Sequence, residues 1–202
     1  HPTYKQTHSM ATLHIVRDLL VPMRDGVRLG TTLIRSADAG PQPVLLARTP
    51  YGKDGWLMDN LFIFDAFRAV EAGYTIVVQD SRGRSASEGE FTPLFTERDD
   101  GADAVRWAAS QPWSNGVVGM FGGSYVGATQ WLAAQDGDEA LRALVPVVTI
   151  ADDYEGMQYQ GGVKVHHGVG WAMMMAGEAV QRRIAAGGTP PNDPTAFDIE
   201  AA

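Results

Sequence analysis

One segment decides the fold of this chain: Val117-Val118-Gly119-Met120-Phe121-Gly122-Gly123-Ser124-Tyr125-Val126-Gly127-Ala128-Thr129. Residues 117–121 have the apolar pattern of a short buried strand, and two glycines lead into a helix that we predict to begin at Tyr125. At such a strand-to-helix turn the serine hydroxyl stands above the sheet, and small neighbours allow close packing. The helix N-terminus suits a developing oxyanion. The segment therefore predicts that Ser124 is a nucleophile.

The glycines depart from the usual G-x-S-x-G pattern of such a turn. Val126 occupies the place of the last glycine, which follows one position later as Gly127. In a chain with 23 glycines, the alternative is a turn that only lets a helix pack closely on a strand. The order of apolar strand, turn and helix favours the nucleophile.

Composition excludes several classes of function. The 202 residues are 45% apolar and carry a formal charge of −8, which argues against a nucleic-acid partner. Without cysteine, neither a disulfide framework nor a thiolate metal site can form. No apolar run approaches the length of a membrane span. We also predict no metal or cofactor. The polar residues 1–10 lack the apolar core of a signal peptide, which slightly favours the cytoplasm over secretion.

The pattern along the chain predicts an α/β fold. Strands and helices alternate over residues 44–149, which indicates a mostly parallel sheet with helices on both faces and an antiparallel hairpin at one edge. Thr96 and Asp99 resemble a capping box at the start of a helix, and Pro146 favours a strand near an edge or end. The predicted strands cover residues 13–22, 27–34, 44–47, 74–78, 117–121 and 143–149, and the predicted helices cover 60–72, 97–110 and 125–135.

We predict three parts in the chain. Residues 1–12 form an N-terminal segment, and residues 13–150 form the N-terminal part of the α/β core. Past residue 150 the strand–helix alternation stops, and a Met-rich apolar stretch at 171–176 predicts a helix that runs to about residue 186. Residues 151–202 are therefore predicted to begin a helical subdomain.

Polar residues that follow predicted strands are candidates for a site, because functional groups collect at the carboxyl ends of parallel strands. The hydroxyl of Tyr51 is placed to donate to an oxyanion together with the Tyr125 N–H, and the alternative is a surface tyrosine. For Asp80 we favour a role in fixing the following loop through backbone hydrogen bonds. For Asp152, Asp153 and Glu155, binding of a cationic substrate group competes with a solvated acidic turn, which we favour.

His166 and His167 have the order, though not the spacing, of a catalytic base. The sequence Ser124, Asp152, His167 follows the hydrolase order of nucleophile, acid and base. His166 lies 14 positions after Asp152, which is too few for two parallel strands with a helix between them. We therefore expect ordinary residues of the helical part, and adjacent histidines point too far apart to share a metal ion.

Five motifs in order resemble the cocaine esterase-like hydrolases, the group that also holds X-Pro dipeptidyl peptidases and α-amino-acid ester hydrolases. The resemblance covers residues 13–150 well and 151–180 weakly. The family's nucleophile motif is G-x-S-Y-x-G, which accounts for the displaced Gly127. The motifs are Val21-Pro22-Met23-Arg24-Asp25-Gly26-Val27-Arg28-Leu29, Pro50-Tyr51-Gly52-Lys53, Gln79-Asp80-Ser81-Arg82-Gly83, Ser87-Glu88-Gly89-Glu90-Phe91 and Gly119-Met120-Phe121-Gly122-Gly123-Ser124-Tyr125-Val126-Gly127.

The resemblance implies an α/β-hydrolase fold, of which this chain holds the N-terminal part of the sheet and the start of a helical cap domain. It implies a serine hydrolase of ester or amide bonds that forms an acyl-enzyme on Ser124. The oxyanion hole is then the Tyr51 hydroxyl with the Tyr125 N–H, and Trp171 stands where the family places an acyl-pocket tryptophan. Substrate contacts are also expected at Asp152, Asp153 and Tyr154.

Nothing in the chain matches the family's acid, base or C-terminal jelly-roll domain. We therefore expect the acid and base to come from a missing C-terminal part or from a second polypeptide, since a serine without a base is barely nucleophilic. The expected ligand is a small ester or amide, with α-amino-acid esters, β-lactams and X-Pro peptides as the substrate classes of the resemblance. The competing hypothesis is a non-catalytic α/β-hydrolase-fold fragment or binding module.

Overall fold

The computed structural model describes residues 12–59, 64–152 and 154–187, and the chain divides into two units, His1–Thr149 and Ile150–Ala202. The first unit contains β1 (Leu13–Pro22), β2 (Arg28–Ser36), β3 (Gln42–Thr49), α1 (Lys53–Asp59), α2 (Ala66–Glu71), β4 (Thr75–Asp80), α3 (Glu97–Ser110), β5 (Ser114–Gly123), α4 (Tyr125–Ala134) and β6 (Leu141–Val147). The second contains a short hairpin, β7 (Tyr159–Gln160) with β8 (Val163–Lys164), and α5 (His167–Ala185).

A six-stranded sheet in the order β1-β2-β4-β3-β5-β6 forms the first unit. β1 pairs antiparallel with β2, and β2 pairs antiparallel with β4, while the remaining neighbours are parallel. This confirms the predicted α/β fold with a mostly parallel sheet and an opening hairpin at one edge. Because β4, β3, β5 and β6 run in one direction, their carboxyl ends meet along one edge of the sheet.

Each face of the sheet carries its own apolar cluster. Successive strand residues alternate between the clusters, as Leu46 and Ala47 on β3 and Met120 and Phe121 on β5 do. The cluster with Leu46 includes residues of α3 and α4, and the cluster with Ala47 includes residues of α1 and α2: Ala104, Val105 and Ala133 on one side, Trp56 and Val70 on the other. The helices therefore lie on both faces, as the alternation predicts.

The helix predicted over residues 60–72 is wrong at residues 64 and 65. Asp65 has an extended backbone (φ −88°, ψ 98°), and its carboxylate accepts the N–H groups of Phe67 and Arg68. It therefore caps a helix that begins only at Ala66. Residues 60–63 lie outside the described residues, and α1 was not predicted because its 7 residues show no apolar repeat.

The predicted capping box at Thr96 is also wrong. Thr96 makes no side-chain capping hydrogen bond, and its own backbone is helical (φ −92°, ψ −9°). Asp99 instead lies in an exposed ion pair, with Oδ1 3.3 Å from Arg24 Nη1. The helix bounds 97–110 are nevertheless confirmed. Within the ranges that the structure describes, no helix is long and apolar enough to cross a membrane.

A fully buried arginine ties α3 to the sheet. Arg48 on β3 has no exposed surface, and its Nη1 lies 2.6 Å from Glu97 Oε2 at the first residue of α3. Its Nε donates to Gln79 Oε1 at 2.9 Å, and its Nη2 lies 3.8 Å from Asp100 Oδ2. Asp100 in turn pairs with Arg82 at 2.6 Å. The buried charge is thus met by opposite charge from a neighbouring helix and by an amide from β4.

Glu97→Ala should lower the free energy of unfolding by about 3–5 kcal/mol, because removing one partner leaves a buried guanidinium without compensation. Urea unfolding followed by tryptophan fluorescence and circular dichroism measures the change. Asp99→Ala on the same helix is the matched control, since its exposed ion pair is expected to contribute less than about 1 kcal/mol. Equal losses in the two variants would show that the buried pair has no special role.

Candidate active site

Ser124 lies at the sharp turn between β5 and α4 and is exposed. Its backbone has φ 55° and ψ −124°, a conformation that is strained for any residue other than glycine. Its N–H donates to the carbonyls of Val147 (3.0 Å) and Val148 (3.2 Å). Its own carbonyl accepts the Gly127 N–H at 2.9 Å and the Thr149 hydroxyl at 2.7 Å. These bonds hold the strained backbone on both sides.

Close packing explains where the glycines of the turn lie. A Cβ at Gly122, whose φ is +134°, would lie 2.3 Å from Val126 Cγ1. A Cβ at Gly127 would lie 2.5 Å from Thr149 Cβ. Val126 therefore fills the space over Gly122, and α4 meets the chain after β6 at Gly127. The last glycine is needed one position later than in the usual motif because the contact with Thr149 falls there.

Tyr51 and Tyr125 lie beside this turn. Their rings pack edge to face with centroids 6.4 Å apart, and the Tyr51 N–H donates to Thr49 Oγ1 at 3.1 Å. Tyr125 is the first residue of α4, so its N–H belongs to the positive end of the helix. The structure thus brings Ser124, Tyr51 and Tyr125 together at the carboxyl edge of the sheet.

The hydroxyl of Tyr125 has a structural role. It donates to Glu97 Oε1 at 3.1 Å and accepts the Leu94 N–H at 2.9 Å. Burial, together with the negative charge of Glu97, raises the pKa of Tyr125. The side chain therefore stays neutral and anchors the start of α4 to the buried ion pair.

The other predicted site residues belong to the second unit. Asp152 Oδ1 accepts the N–H groups of Tyr154 (2.8 Å) and Glu155 (3.0 Å), which is the acidic turn favoured from the sequence. Tyr154 is 61% exposed. Trp171 is a half-buried residue of α5. Asp153 lies outside the described residues.

Comparison with known proteins places the chain in a family. Residues 25–192 match the model of the X-Pro dipeptidyl-peptidase (S15) family. The chain belongs to this family. Cocaine esterase from Rhodococcus sp. (strain MB1 Bresler) is 41% identical over 163 residues, which cover 80% of this chain and 28% of that protein.

Two solved structures show the same relationship. A CocE/NonD family hydrolase from Staphylococcus aureus is 31% identical with a TM-score of 0.69, over 76% of this chain and 31% of that one. An α-amino acid ester hydrolase is 28% identical with a TM-score of 0.62, over 77% of this chain and 30% of that one. The S15 family chain therefore has the α/β-hydrolase fold, as the motifs predict, and spans less than a third of each of these relatives.

The described part of the first unit has no histidine on a strand next to Ser124. His14 is the one histidine among those residues, and it lies on β1, which three other strands separate from β5. His166 directly precedes α5, and His167 is its first residue, so both belong to the second unit. The described residues of this S15 family chain also contain no group of three or more side chains that could hold a metal ion.

Sequence reasoning did not predict the buried ion pair between Arg48 and Glu97. Arg48 ends an apolar run, and its charge gave no sign that it is buried. The first turn of α3 was interpreted only as a capping box. An arginine directly after a buried parallel strand was the available signal, because the strand ends inside the protein. Asp80 follows the prediction, since it accepts backbone N–H groups from two loops.

Gly127→Ala should lower the free energy of unfolding by about 1–3 kcal/mol, because the added methyl group overlaps Thr149. Gly55→Ala is the matched control: it lies within α1, and nothing is within 4 Å of an added Cβ. That variant should be more stable than the wild type by up to about 1 kcal/mol. Thermal unfolding of the two variants gives the comparison, and shifts of the same sign would contradict the close approach at Gly127.

Proposed function

We propose that this chain carries the nucleophile of a serine hydrolase that cleaves carboxylic esters or amides through an acyl-enzyme on Ser124. The observation that carries the proposal is the strained, exposed Ser124 at the N-terminus of α4, with Tyr51 beside it. Strained backbone persists where the surroundings hold it in place, and such sites cluster at active centres. Among the relatives, one is described as a cocaine esterase and another as an α-amino acid ester hydrolase.

In the proposed reaction, Ser124 Oγ attacks the substrate carbonyl carbon while a base takes its proton. The carbonyl oxygen becomes an oxyanion, which the Tyr51 hydroxyl and the Tyr125 N–H stabilise by hydrogen bonds. Collapse of this intermediate expels the alcohol or amine, which receives the proton, and leaves an ester on Ser124. Water then attacks the ester, and the carboxylic acid leaves as Ser124 regains its hydrogen.

We further propose that the acid and base come from polypeptide outside this sequence, either a longer chain or a second one. The open edge of β6 supports this, since within the described residues its outer side has no strand partner. Val145 on β6 is 58% exposed, and Val148 just after it is 92% exposed. A parallel strand added there would place its carboxyl end at the same edge as Ser124, where catalytic groups of such sheets collect.

Fluorophosphonate labelling of the protein from its native source tests the nucleophile. We expect one label, mapped by mass spectrometry to the peptide with Ser124. We also expect either that the labelled polypeptide is heavier than the 21.8 kDa of this sequence or that a second polypeptide is bound to it. Ser124→Ala should lose both the label and ester turnover, while Ser110→Ala, at an exposed serine, should keep both. Equal turnover by the wild type and Ser124→Ala would leave the competing hypothesis of a non-catalytic domain.

Tyr51→Phe should lower kcat by a factor on the order of 10 to 10³, because one oxyanion donor is lost while the ring and its packing on Tyr125 remain. Tyr74→Phe, at a tyrosine 37% exposed before β4, controls for the loss of a phenol elsewhere. Steady-state kinetics on an activated ester gives kcat and KM for both. An unchanged kcat in Tyr51→Phe would remove its hydroxyl from the oxyanion site.

A further inference from the structure

Two of the five sequence motifs cover the end of β4 and the loop that follows it, yet the proposed reaction uses none of their side chains. This β4 loop, residues 81–91, folds tightly back on itself. The Gly83 N–H donates to the Glu88 carbonyl at 2.8 Å, and a Cβ at Gly83 would lie 2.2 Å from the Phe91 nitrogen. The Ser87 hydroxyl donates to the Asp80 carbonyl at 2.8 Å. The loop is therefore held by bonds within its own backbone and by a bond to the end of β4.

The β4 loop and Asp80, the last residue of β4, hold the Tyr51 loop, residues 50–53, on the two sides of the tyrosine. Arg84 is buried and donates through Nε to the Pro50 carbonyl at 2.9 Å, directly before Tyr51. Asp80 Oδ1 accepts the Lys53 N–H at 2.6 Å, two residues after Tyr51. The Ser81 N–H adds a bond to the Thr49 carbonyl at 2.8 Å. Tyr51 therefore lies between two fixed points of the chain.

Asp80 joins the two loops with its two carboxylate oxygens. It is completely buried at the end of β4, and its Oδ2 accepts the Ala86 N–H of the β4 loop at 3.2 Å. The charged groups around it are Lys53, whose Nζ is 3.9 Å from Oδ2, and the two acids that contact this ammonium, Asp54 (3.2 Å) and Asp18 (2.7 Å). A protonated carboxyl has an O–H on one oxygen, so it cannot serve both N–H groups equally well.

We propose that Asp80 and Arg84 are positioning residues that hold the Tyr51 hydroxyl at the oxyanion site, and that this clamp is complete only while Asp80 is ionised. Neither residue touches the reacting atoms; both act through the backbone on either side of Tyr51. The catalytic consequence rests on the proposed function, whereas the clamp itself belongs to the fold.

Protonation of Asp80 falls in an accessible range. Burial raises the pKa of Asp80 to about 6, against the opposing effect of the Lys53 and Ala86 N–H bonds. The clamp is therefore complete above that pH and loosens as the pH falls through it. Amide protons bonded to a carboxylate report its ionisation directly, which allows the clamp to be tested without any activity.

The first test follows the amide resonances of the full chain, labelled with ¹⁵N, from pH 4 to 8. We expect the Lys53 and Ala86 amide protons to shift together with a midpoint near pH 6, and Asp80→Asn to abolish both shifts. The Arg24 amide is the internal control: it donates to Asp103 at 2.8 Å, and the Arg24 side chain is among the groups that lower the pKa of Asp103 to about 2. Independent movement of Lys53 and Ala86, or titration that persists in Asp80→Asn, overturns the clamp.

The second test measures kcat and KM in the active hydrolase. Asp80→Asn should lower kcat on the order of 10- to 100-fold with KM little changed, as a small misplacement of a catalytic group does. In the Tyr51→Phe background the same change should have no further effect, because the hydroxyl that it positions is gone. Effects that multiply show that Asp80 does not act through Tyr51. Asp103→Asn on α3, which neutralises a carboxylate that likewise accepts a backbone N–H but does not contact the Tyr51 loop in any bond described above, should leave kcat unchanged.

The pH dependence separates the clamp from the catalytic base. The ratio of wild-type kcat to Tyr51→Phe kcat should fall towards 1 below about pH 6, and titration of the base cancels in this ratio. A ratio that stays constant from pH 5 to 8 contradicts the proposal. If Asp80→Asn does not fold, Arg84→Lys takes its place in the double-variant comparison, since lysine cannot reproduce the Nε contact with Pro50. Turnover that survives Ser124→Ala refutes the proposed function alone, and the amide titration still decides the clamp.

Discussion

A buried ion pair between Arg48 and Glu97 is the interaction on which the arrangement around Ser124 depends. Burying two charges costs solvation, and the pair persists only because amide and carboxylate groups satisfy much of the rest of the guanidinium. Glu97 also accepts the hydroxyl of Tyr125, the residue directly after Ser124. The start of α4 is therefore fixed to β3 and α3 through the side chains of Tyr125, Glu97 and Arg48.

The strained backbone at Ser124 depends on a second set of contacts, which come from the end of β6 and the residues after it. Bonds from the end of β6 and from Thr149 keep a non-glycine residue at positive φ, and the absence of a side chain at Gly122 and Gly127 lets α4 lie close enough to make them. The two constraints act together: the ion pair holds the start of α4 through the Tyr125 hydroxyl, and the end of β6 holds the turn through the Ser124 N–H. The proposed oxyanion donor Tyr51 is held by a third element, the β4 loop.

Much of the first unit follows from local patterns. The strands, the long helix α3 and the turn at Ser124 were all predicted from apolar alternation, apolar spacing and glycine, because those patterns reflect which face of each element is buried. One of the two errors has a local cause, and the other comes from a contact between residues 75 positions apart. Asp65 is a better cap than interior residue of a helix, and Asp99 is drawn to Arg24 instead of closing a capping box with Thr96.

The amino-acid sequence by itself determined the order of the strands and helices of the first unit along the chain except α1, the α/β class and the place of Ser124 at a strand-to-helix turn, since each depends on residues close together in the chain. Only the tertiary structure decided that Arg48 and Glu97 are buried against each other, that Asp80 joins two loops, and that Gly127 meets Thr149. Apart from the bond of Asp80 to Ala86, these contacts join residues 22 to 49 positions apart, so they exist only once the sheet has brought distant segments together, and no local pattern encodes them.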